Sequence, residues 1–346
     1  MTHIAPPTIK DVARLAGVSV ATVSRALNKP GRVNQDTAAR VRAAAVDLDY
    51  IPYRAAGSLV SKRFKAIGAL MPTIDNTIFA RALHALQGQL NSYGYSLLVA
   101  STHYNSEREV MALQSLIEHG VDAIVFVGAQ HHPGVDKLMA RTSLPFVNTW
   151  VFDPDSAEPC IGLDNRGAMF RVTNYLLDLG HRDFAFISGI TENNDRAALR
   201  KAGALDALAR QGIHLGPERI LEKAYSIAAG RAALRAVLAL PNPPTAIICG
   251  NDILAFGAIY ECLAQGIDVP GQISITGFDD FELSSHMLPS LTTVRVPATE
   301  MGTAAADYLV SVLEGKPAPA HTEFEAQLIV RGSTARPPAV LSNSGS

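Results

Sequence analysis

The sequence predicts an α/β core of two doubly wound parallel-sheet lobes, preceded by a small all-α domain. The first 65 residues carry eleven Lys/Arg and four Asp/Glu, which gives a net charge of +7. The other residues carry nineteen Lys/Arg and twenty-eight Asp/Glu, which gives a net charge of −9. From Ala66 onward, short apolar runs alternate with helical stretches of ten or more residues, which is the pattern of βαβ units. A chain of 346 residues has room for both parts.

The composition excludes several classes of protein. The chain is 48% hydrophobic and 18% charged, which is typical of globular proteins. No apolar run reaches the roughly 20 residues of a membrane span, and the N-terminus lacks the apolar core of a signal peptide. We therefore expect a cytoplasmic protein without a membrane partner. The cysteines Cys160, Cys249 and Cys262 lack zinc spacing, so we expect reduced thiols, no metal site and no cofactor.

The basic segment has the start and stop signals of three short helices. Thr8 and Asp11 form a capping pattern for the first helix, and Gly17 ends it. Ser19 can cap a second helix and Asn34 a third. A helix, a three-residue turn and a second helix make up the helix-turn-helix, whose second helix enters the major groove of DNA. The alternative is a three-helix bundle without a DNA partner, but the positive charge favours DNA binding.

Residues 8–25, TIKDVARLAGVSVATVSR, resemble the N-terminal signature of the lac-repressor/galactose-repressor family of bacterial transcription regulators, and the resemblance continues through Asn28, Val33, Thr37 and 50–52. It implies a sequence-specific DNA-binding transcriptional regulator, a repressor. As partners it implies a near-palindromic double-stranded operator, a small-molecule effector and a second copy of the chain in a homodimer. It also implies domain boundaries: a helix-turn-helix domain at 1–50, a hinge helix and linker at 51–65, and a two-lobed effector-binding and dimerisation domain at 66–336. The tail at 337–346 has no leucine heptad, and we expect it to be disordered.

By this resemblance, Val20, Ala21 and Arg25 occupy the positions that read base edges. Arg25 can bond guanine O6 and N7 together, whereas Val20 and Ala21 offer apolar contact, for example to a thymine methyl group. The other expected DNA contacts in this domain are short polar side chains that suit phosphates: Ser19, Thr22, Ser24, Asn28 and Thr37. For Ser24 and Asn28, a solvated face of the helix is the alternative.

The segment after the third helix is either a plain linker or a hinge. Pro52 interrupts the helical pattern. The resemblance implies a short hinge helix that forms on DNA, inserts Leu59 into the minor groove and contacts its dimer mate through Ala56, with Arg54 also at the DNA. Gly57 stands where the family usually has Arg or Gln. Because glycine costs about 1 kcal/mol in a helix interior, we expect this hinge helix to depend strongly on DNA.

Seven apolar runs in the acidic part predict buried strands, and the stretches between them predict helices. The predicted strands are Ile67–Met71, Tyr95–Ala100, Ala123–Val127, Phe146–Thr149, Phe184–Ser188, Thr245–Cys249 and Ile273–Gly277. The span from Ala66 to about Arg336 resembles the periplasmic-binding-protein-like core of the family. That resemblance implies chain crossings near Leu163, Leu291 and Thr322, an N-lobe of about 66–163 and 292–322, and a C-lobe of about 164–291 and 323–336.

Ligands of open parallel sheets bind beyond the carboxyl ends of the strands, and the residues that follow the predicted strands suit a sugar. Aromatic rings can stack on a sugar's C–H face, while carboxylate, amide and guanidinium groups hold its hydroxyls. By the resemblance, Asp279 in GFDD, Asn251 in GNDILAFG and Arg200 match ligand-binding positions. The full set of expected effector-binding residues is Phe79, Asp75, His131, Trp150, Arg200, Asn251 and Asp279.

Several of these residues have structural alternatives. Asn251 and Asp252 could cap the helix that begins at Ile253. Trp150 could belong to the core of a lobe, and Asp280 could be a solvated turn residue.

His131 could be a loop residue without a role. A histidine at this place, with Tyr104 and 261–262, resembles the gluconate-type regulators of the family. That resemblance points to a sugar acid, whose carboxylate Arg200 could bind. We therefore expect a sugar or a sugar acid as effector.

Rival functions lack their motifs. The sequence has no G-x-G-x-x-G, P-loop, G-x-S-x-G or H-E-x-x-H pattern, so we expect no enzyme. A sugar-binding receptor without regulatory output would need an export signal in place of the basic module. A regulator that acts with a corepressor rather than an inducer remains open, because the sequence does not give the sign of the response.

Overall fold

The chain divides into two compact units, Met1–Lys65 and Ala66–Ser346. The structure is a computed structural model and describes residues 6–28, 32–51 and 63–338. Among these residues, no helix is both long enough and apolar enough to cross a membrane.

Among its described residues, the small unit has three helices: α1 Ile9–Ala16, α2 Val20–Asn28 and α3 Gln35–Asp47. Each begins at the residue that the sequence predicts. The Thr8 backbone N–H donates to the Asp11 carboxylate at 2.9 Å, the Ser19 hydroxyl accepts from the Thr22 N–H at 3.2 Å, and Asn34 Oδ1 accepts from the Asp36 N–H at 2.9 Å. These contacts satisfy amide groups that the first turn of a helix leaves unpaired.

Small apolar side chains fill the core of the small unit. Val12, Val23 and Val41, one from each helix, are completely buried, and alanines surround them. Gly17 ends α1 in the left-handed conformation, with φ of 64°, which only glycine adopts without cost. The tight turn after Gly17 therefore fixes the angle at which α2 follows α1.

The first lobe of the large unit is a six-stranded parallel sheet with helices on its faces. The strand order is β11-β5-β4-β3-β1-β2. Its elements are β1 Ala66–Met71, α4 Thr77–Ser92, β2 Ser96–Ser101, α5 Ser106–Glu118, β3 Ala123–Val127, α6 Pro133–Thr142, β4 Phe146–Thr149, β5 Cys160–Gly162 and, much later in the chain, α12 Ala298–Leu313 and β11 His321–Glu323.

The second lobe is a four-stranded parallel sheet with the order β7-β6-β8-β9. Its elements are α7 Asn165–Asp178, β6 Phe184–Gly189, α8 Asp195–Ala209, β7 Ile220–Lys223, α9 Ile227–Leu238, β8 Ala246–Cys249, α10 Asp252–Gln265, β9 Ser274–Thr276 and the short α11 Glu282–His286. A 3₁₀ turn, Pro217–Arg219, precedes β7.

A two-stranded antiparallel pair, β10 Thr293–Arg295 and β12 Gln327–Ile329, completes the large unit. The chain leaves the first sheet after β5, returns to it through β10 and α12, and leaves it again between β11 and β12. A bridge between Asp279 and Arg295 joins β10 to the loop that follows β9. Two parallel sheets, each covered by helices, confirm the predicted fold class, whereas the antiparallel pair is too short for the sequence pattern to have indicated it.

Glycines allow two helix pairs of the second lobe to pack in direct backbone contact. A methyl group on Gly203 of α8 would lie 2.1 Å from the carbonyl oxygen of Arg166 in α7. A methyl group on Gly257 of α10 would lie 2.3 Å from the carbonyl oxygen of Ile227 in α9. Both distances are shorter than any van der Waals contact, so these glycines set how closely the helices approach.

Candidate functional site

The surface of α2 carries the residues that the sequence predicts at DNA base edges. Val23 and Ala26 of this helix face the core, whereas Val20, Ala21 and Arg25 are exposed. Val20, at the start of the helix, is 41% exposed, so part of its side chain is free for apolar contact in a groove. The exposed side of α2 is therefore the candidate DNA interface.

The polar residues predicted at the interface occupy different environments. Ser19 is exposed and its hydroxyl lies 2.9 Å from that of Thr22, which is half-buried. Ser24 and Thr37 are also half-buried. The side chain of Asn28 and the segment 52–62, with Arg54, Ala56 and Leu59, lie outside the described residues.

In the large unit, a cavity lies between the two lobes at the carboxyl ends of their strands. Its free volume is about 30 Å³, which is room for one or two water molecules. Five aromatic rings, four asparagines and three charged groups line it, together with three aliphatic side chains. They are Phe79, Tyr104, Trp150, Tyr225 and Phe278; Asn76, Asn165, Asn194 and Asn251; Arg196, Arg200 and Asp279; Ile78, Leu163 and Val296.

Two surface cavities elsewhere in the large unit are larger, about 530 and 440 Å³. The first lies beside α6 and the second beside the start of α12. Among the described residues, the first is lined by no amide or guanidinium group. The second has arginines but only one aromatic ring and one amide, Phe281 and Gln327, whereas the inter-lobe cavity has five rings and four amides. We take the inter-lobe cavity as the candidate site because chemistry, rather than volume, distinguishes a recognition site.

A carboxylate and a guanidinium lie together in this cavity. Asp279 Oδ1 is 3.9 Å from Arg200 Nη1, and both side chains are at least nine-tenths buried. Burial raises the pKa of Asp279 to about 8, although the nearby Arg200 charge opposes this rise. The Arg200 guanidinium lies over the Phe278 ring at 4.6 Å. Its Nε is buried and has no hydrogen-bond partner among the described residues, which leaves a donor for a ligand.

Asn251 caps a helix, which is one of its predicted alternatives, and it also lines the cavity. Its Oδ1 accepts from the Ile253 N–H at 2.7 Å and so caps α10. Its Nδ2 donates to Asp279. The capping bond fixes the amide in the orientation that presents its N–H to the carboxylate, so the two roles depend on each other.

Asp252 is a structural residue rather than a lining residue. It is completely buried. Its carboxylate accepts from the Phe281 N–H at 3.0 Å, the Ser284 hydroxyl at 2.6 Å and the Thr293 hydroxyl at 2.5 Å. Burial raises the pKa of Asp252, and the three hydrogen bonds oppose this rise. Asp252 thus joins the start of α10 to the loop that carries Asp279 and to β10.

The solvated-turn alternative for Asp280 is wrong. Asp280 is buried, and its two oxygens bind Arg295 Nε at 2.8 Å and an Arg331 Nη at 2.6 Å. Arg295 belongs to β10, and Arg331 follows β12. Adjacent residues therefore serve two purposes, because Asp279 faces the cavity while Asp280 binds the segments that connect the lobes.

Trp150 belongs both to the core and to the cavity. It is 6% exposed, packs edge-to-face against Phe79 at 4.9 Å and lines the cavity. Its φ of 71° is in the left-handed region, which is unusual for a bulky residue and is found at functional sites. Both of the predicted roles of Trp150 are therefore compatible with its place.

Two predicted effector-binding residues do not line the cavity. Asp75 is exposed, and its backbone N–H donates to the Thr73 hydroxyl. Its neighbour Asn76 lines the cavity instead and caps α4. The difference arises because the turn after β1 points residue 75 outward and residue 76 inward.

His131 is the second of these residues. Its Nδ1 lies 2.7 Å from Glu109 Oε1, and its Nε2 lies 3.2 Å from Asn148 Oδ1. The ring packs against Phe126 at 4.5 Å between centroids. Burial lowers the pKa of His131, but the hydrogen bond and charge of Glu109 outweigh it, so the pKa is raised overall. The loop after β3 thus places this histidine within the first lobe, away from the cavity.

Tyr104 and Tyr225 line the cavity from opposite lobes, and the sequence analysis did not place either in the site. Their rings are 5.5 Å apart. Burial raises the pKa of the Tyr104 phenol above its ordinary range. Tyr104 follows His103, and both residues have left-handed φ, 52° and 57°. No signal in the sequence marks such a turn, because neither residue is a glycine or an asparagine.

Comparisons with known proteins agree with this architecture. Residues 8–53 match the bacterial regulatory proteins of the lacI family, and residues 173–334 match the periplasmic binding protein-like domain. The chain is 32% identical over 328 residues to the HTH-type transcriptional repressor CytR of Escherichia coli, covering 94% of this chain and 96% of the relative.

Two solved structures extend the similarity over nearly the whole chain. A LacI-family regulator from Silicibacter pomeroyi matches with a TM-score of 0.87 and 27% identity, covering 96% of this chain and 100% of its own. The lac repressor dimer bound to operator and the anti-inducer ONPF matches with a TM-score of 0.84 and 28% identity, with the same coverage. These relatives are regulators rather than enzymes. The chain belongs to the lacI family of bacterial regulatory proteins and is a DNA-binding transcriptional regulator.

Proposed function

We propose that this regulator is a homodimeric repressor whose affinity for a near-palindromic operator is controlled by a small sugar or sugar acid bound between the lobes. The observation that carries the effector proposal is the convergence of Asp279, Asn251 and Arg200 beside the Phe79–Trp150 pair. Carboxylate, amide and guanidinium groups match the donors and acceptors of a polyol, and the aromatic groups match its apolar face. A repressor of bacterial genes acts in the cytoplasm.

The charge of the cavity favours an anionic or acceptor-rich ligand. Arg196 and Arg200 line it, whereas Asp279 is its one carboxylate among the described residues. Burial raises the pKa of Asp279, which favours its neutral form and so reduces the extent to which it offsets the positive charge. The unpartnered Nε of Arg200 adds a donor that a ligand carboxylate or hydroxyl would satisfy.

At the DNA, we propose that Arg25 reads a guanine while Val20 and Ala21 make apolar contact, with Ser19, Thr22, Ser24, Asn28 and Thr37 at the backbone. For the hinge we propose Arg54, Ala56 and Leu59 in the roles that the family resemblance implies. The exposed position of Arg25 on α2 supports the base-reading role.

Exposed apolar side chains on the large unit support a dimer. On α10, Leu263 is 70% exposed and Tyr260 lies one turn earlier on the same helix. In the first lobe, Val99 on the edge strand β2 and Met111 on α5 are also exposed. Apolar groups at an uncovered sheet edge are usually covered by a partner. The related lac repressor structure is a dimer on its operator, and we propose the same state for this chain.

A ligand screen followed by an operator assay tests the effector proposal. Sugars, sugar acids, sugar phosphates and purines are first scored by thermal shift, and positive compounds are then added to the protein bound to a selected operator. We expect Arg200→Ala and Asp279→Ala to abolish the shift and leave operator binding intact. Asp75→Ala is the matched control, because Asp75 is an exposed carboxylate of the first lobe that does not line the cavity. Responses equal to the parent in both cavity variants would contradict the pocket assignment.

A further inference from the structure

Polar contacts join the two lobes directly at one side of the cavity. The Asp195 carboxylate, at the start of α8, accepts from the backbone N–H groups of Ala129 at 2.6 Å and Gln130 at 3.2 Å. The next residue, Arg196, donates from Nη1 to the carbonyl oxygen of Val127 at 2.9 Å. Asp195 and Arg196 belong to the second lobe, whereas 127–130 comprise the last residue of β3 and the start of the loop after it in the first lobe. These bonds therefore join the two lobes directly across the cleft.

The two charged side chains also hold each other in place. Arg196 Nη1 donates to Asp195 Oδ1 at 2.8 Å, and the side chains are only 8% and 16% exposed. The N-terminus of α8 favours a negative charge at Asp195. Hydrogen bonds from a backbone amide to a buried carboxylate are stronger than neutral ones. The pair is thus ready to receive the segment 127–130 without rearrangement.

The first lobe is shaped to fit this pair. Gly128 lies between the bonded residues and has φ of 90°. A methyl group there would lie 2.0 Å from Arg196 Nη1 and 2.6 Å from Asp195 Oδ1. Only glycine allows both the backbone conformation and the close approach. On the cavity side of these contacts, Tyr104 and Tyr225 also meet across the cleft, with ring centroids 5.5 Å apart.

We propose that Asp195, Arg196 and the segment 127–130 form a latch that stabilises the closed arrangement of the lobes through contacts within the protein itself. Asp195 and Arg196 are then positioning residues for effector recognition, a consequence that rests on the function proposed above. A cavity with only about 30 Å³ of free volume admits a sugar only after the lobes separate. The latch therefore sets the equilibrium between an open form that admits the effector and a closed form that surrounds it.

The single tryptophan reports this equilibrium directly. Trp150 lines the cavity and is 6% exposed in the closed arrangement, and no other tryptophan contributes to the fluorescence. Opening of the cleft exposes the indole to water and to acrylamide. We would measure the emission maximum and the acrylamide quenching constant of the full-length protein without ligand.

Asp195→Ala removes the acceptor for both amides. We expect the closed-to-open ratio to fall by about tenfold or more, because a hydrogen bond to a charged group is worth at least that factor. The emission should shift to the red and the quenching constant should rise. Gly128→Ala disrupts the latch from the other lobe and should give the same result. Circular dichroism checks that each variant is folded, and the two variants act through different lobes, so a folding defect in one leaves the other informative.

The matched control is Asp206→Ala. Asp206 is on the same helix and also pairs with an arginine, Arg166 at 2.6 Å, but this pair lies within the second lobe and is exposed. The control should leave the fluorescence unchanged. Quenching of folded Asp195→Ala and Gly128→Ala that equals the parent would overturn the latch, and so would an equal change in the control.

These measurements use no effector, so they stand apart from the identity of the ligand. If a compound from the screen binds, the apparent affinity of Asp195→Ala for it should fall in proportion to the fraction of molecules that remain closed. If no compound binds, the proposed effector function fails while the fluorescence result still decides the latch.

Discussion

Replacing Asp252 by alanine should destabilise the large unit strongly and weaken ligand binding at the same time. The carboxylate is completely buried and accepts three hydrogen bonds, from the Phe281 N–H and the hydroxyls of Ser284 and Thr293. The hydroxyls can rotate toward other acceptors, but the backbone N–H cannot. Each buried donor left unpaired costs about 1–3 kcal/mol, so the expected loss is about 3–5 kcal/mol in the free energy of unfolding.

Calorimetry of the full-length protein measures this loss as a change in the unfolding temperature of the large unit. For a domain of this size, a loss of about 3–5 kcal/mol lowers the midpoint by about 5–8 °C. Asp75→Ala is the control, since Asp75 is exposed, and it should leave the midpoint within about 2 °C of the parent. If the unfolding midpoint of Asp252→Ala equals that of the control, the three hydrogen bonds do not stabilise the loop after β9, and the reasoning is refuted.

Three further predictions concern pH, packing and DNA. The pKa of Asp279 is about 8 in the folded chain and 3.8 ordinarily, so between these values folding takes up a proton. The free energy of unfolding of the parent should therefore fall by about 1.4 kcal/mol per pH unit between about pH 5 and pH 7, relative to that of Asp279→Asn. Urea unfolding at several pH values measures both, and the same pH dependence in the two proteins would count against the raised pKa. Gly257→Ala should lower the free energy of unfolding by about 2–4 kcal/mol, because its methyl group meets a carbonyl oxygen. Gly88→Ala, on the open face of α4, should raise it by about 0.5–1 kcal/mol. Equal urea midpoints of the two variants would contradict this. Arg25→Ala should weaken binding to the operator by about 1–3 kcal/mol and binding to random duplex by less. Gel-shift titration measures both affinities, and an equal loss on the two duplexes would exclude base reading.

The starts of the three described helices of the small unit could be predicted almost to the residue, whereas Pro52 predicted too late an end for α3, which ends at Asp47. Capping is a local interaction, so Thr8, Ser19 and Asn34 determine helix starts from side chains within three residues. The long buried strands could also be predicted, because a parallel strand covered on both faces is apolar throughout. Ala123–Val127 and Phe146–Thr149 agree at both ends with the structure.

The shorter or more polar strands could not be predicted, and residues of the site were missed with them. β7 reads Ile-Leu-Glu-Lys, half-buried at every position, so it lacks the apolar run that marks a central strand. Ligand contacts were expected only after predicted strands. Tyr225 lies two residues after β7 and was therefore not predicted. β5, β10, β11 and β12 have three residues each, which is too few for a periodic pattern.

The sequence also could not predict the direction of individual side chains at the ends of strands. The sequence placed Asp75 and His131 after strands that do end at the cavity, yet both side chains point elsewhere. A shift of one residue along a turn reverses the direction of a side chain, and loop conformation depends on tertiary contacts such as that between His131 and Glu109. Asp279 and Arg200 came together as expected, with the help of the family resemblance rather than spacing alone.

The loop after β9 connects ligand recognition to the segments that join the lobes. Asp279 faces the cavity, and its backbone N–H donates to the carbonyl oxygen of Val294 in β10. Asp280 binds Arg295 in β10 and Arg331 after β12. Displacement of Asp279 by a ligand would therefore act on both connecting strands through covalent and hydrogen bonds. With Asp252 holding the base of this loop, the loop moves with β10 rather than independently of it. A ligand that contacts Asp279 can thus alter the lobe arrangement to the extent that it binds one arrangement better than the other.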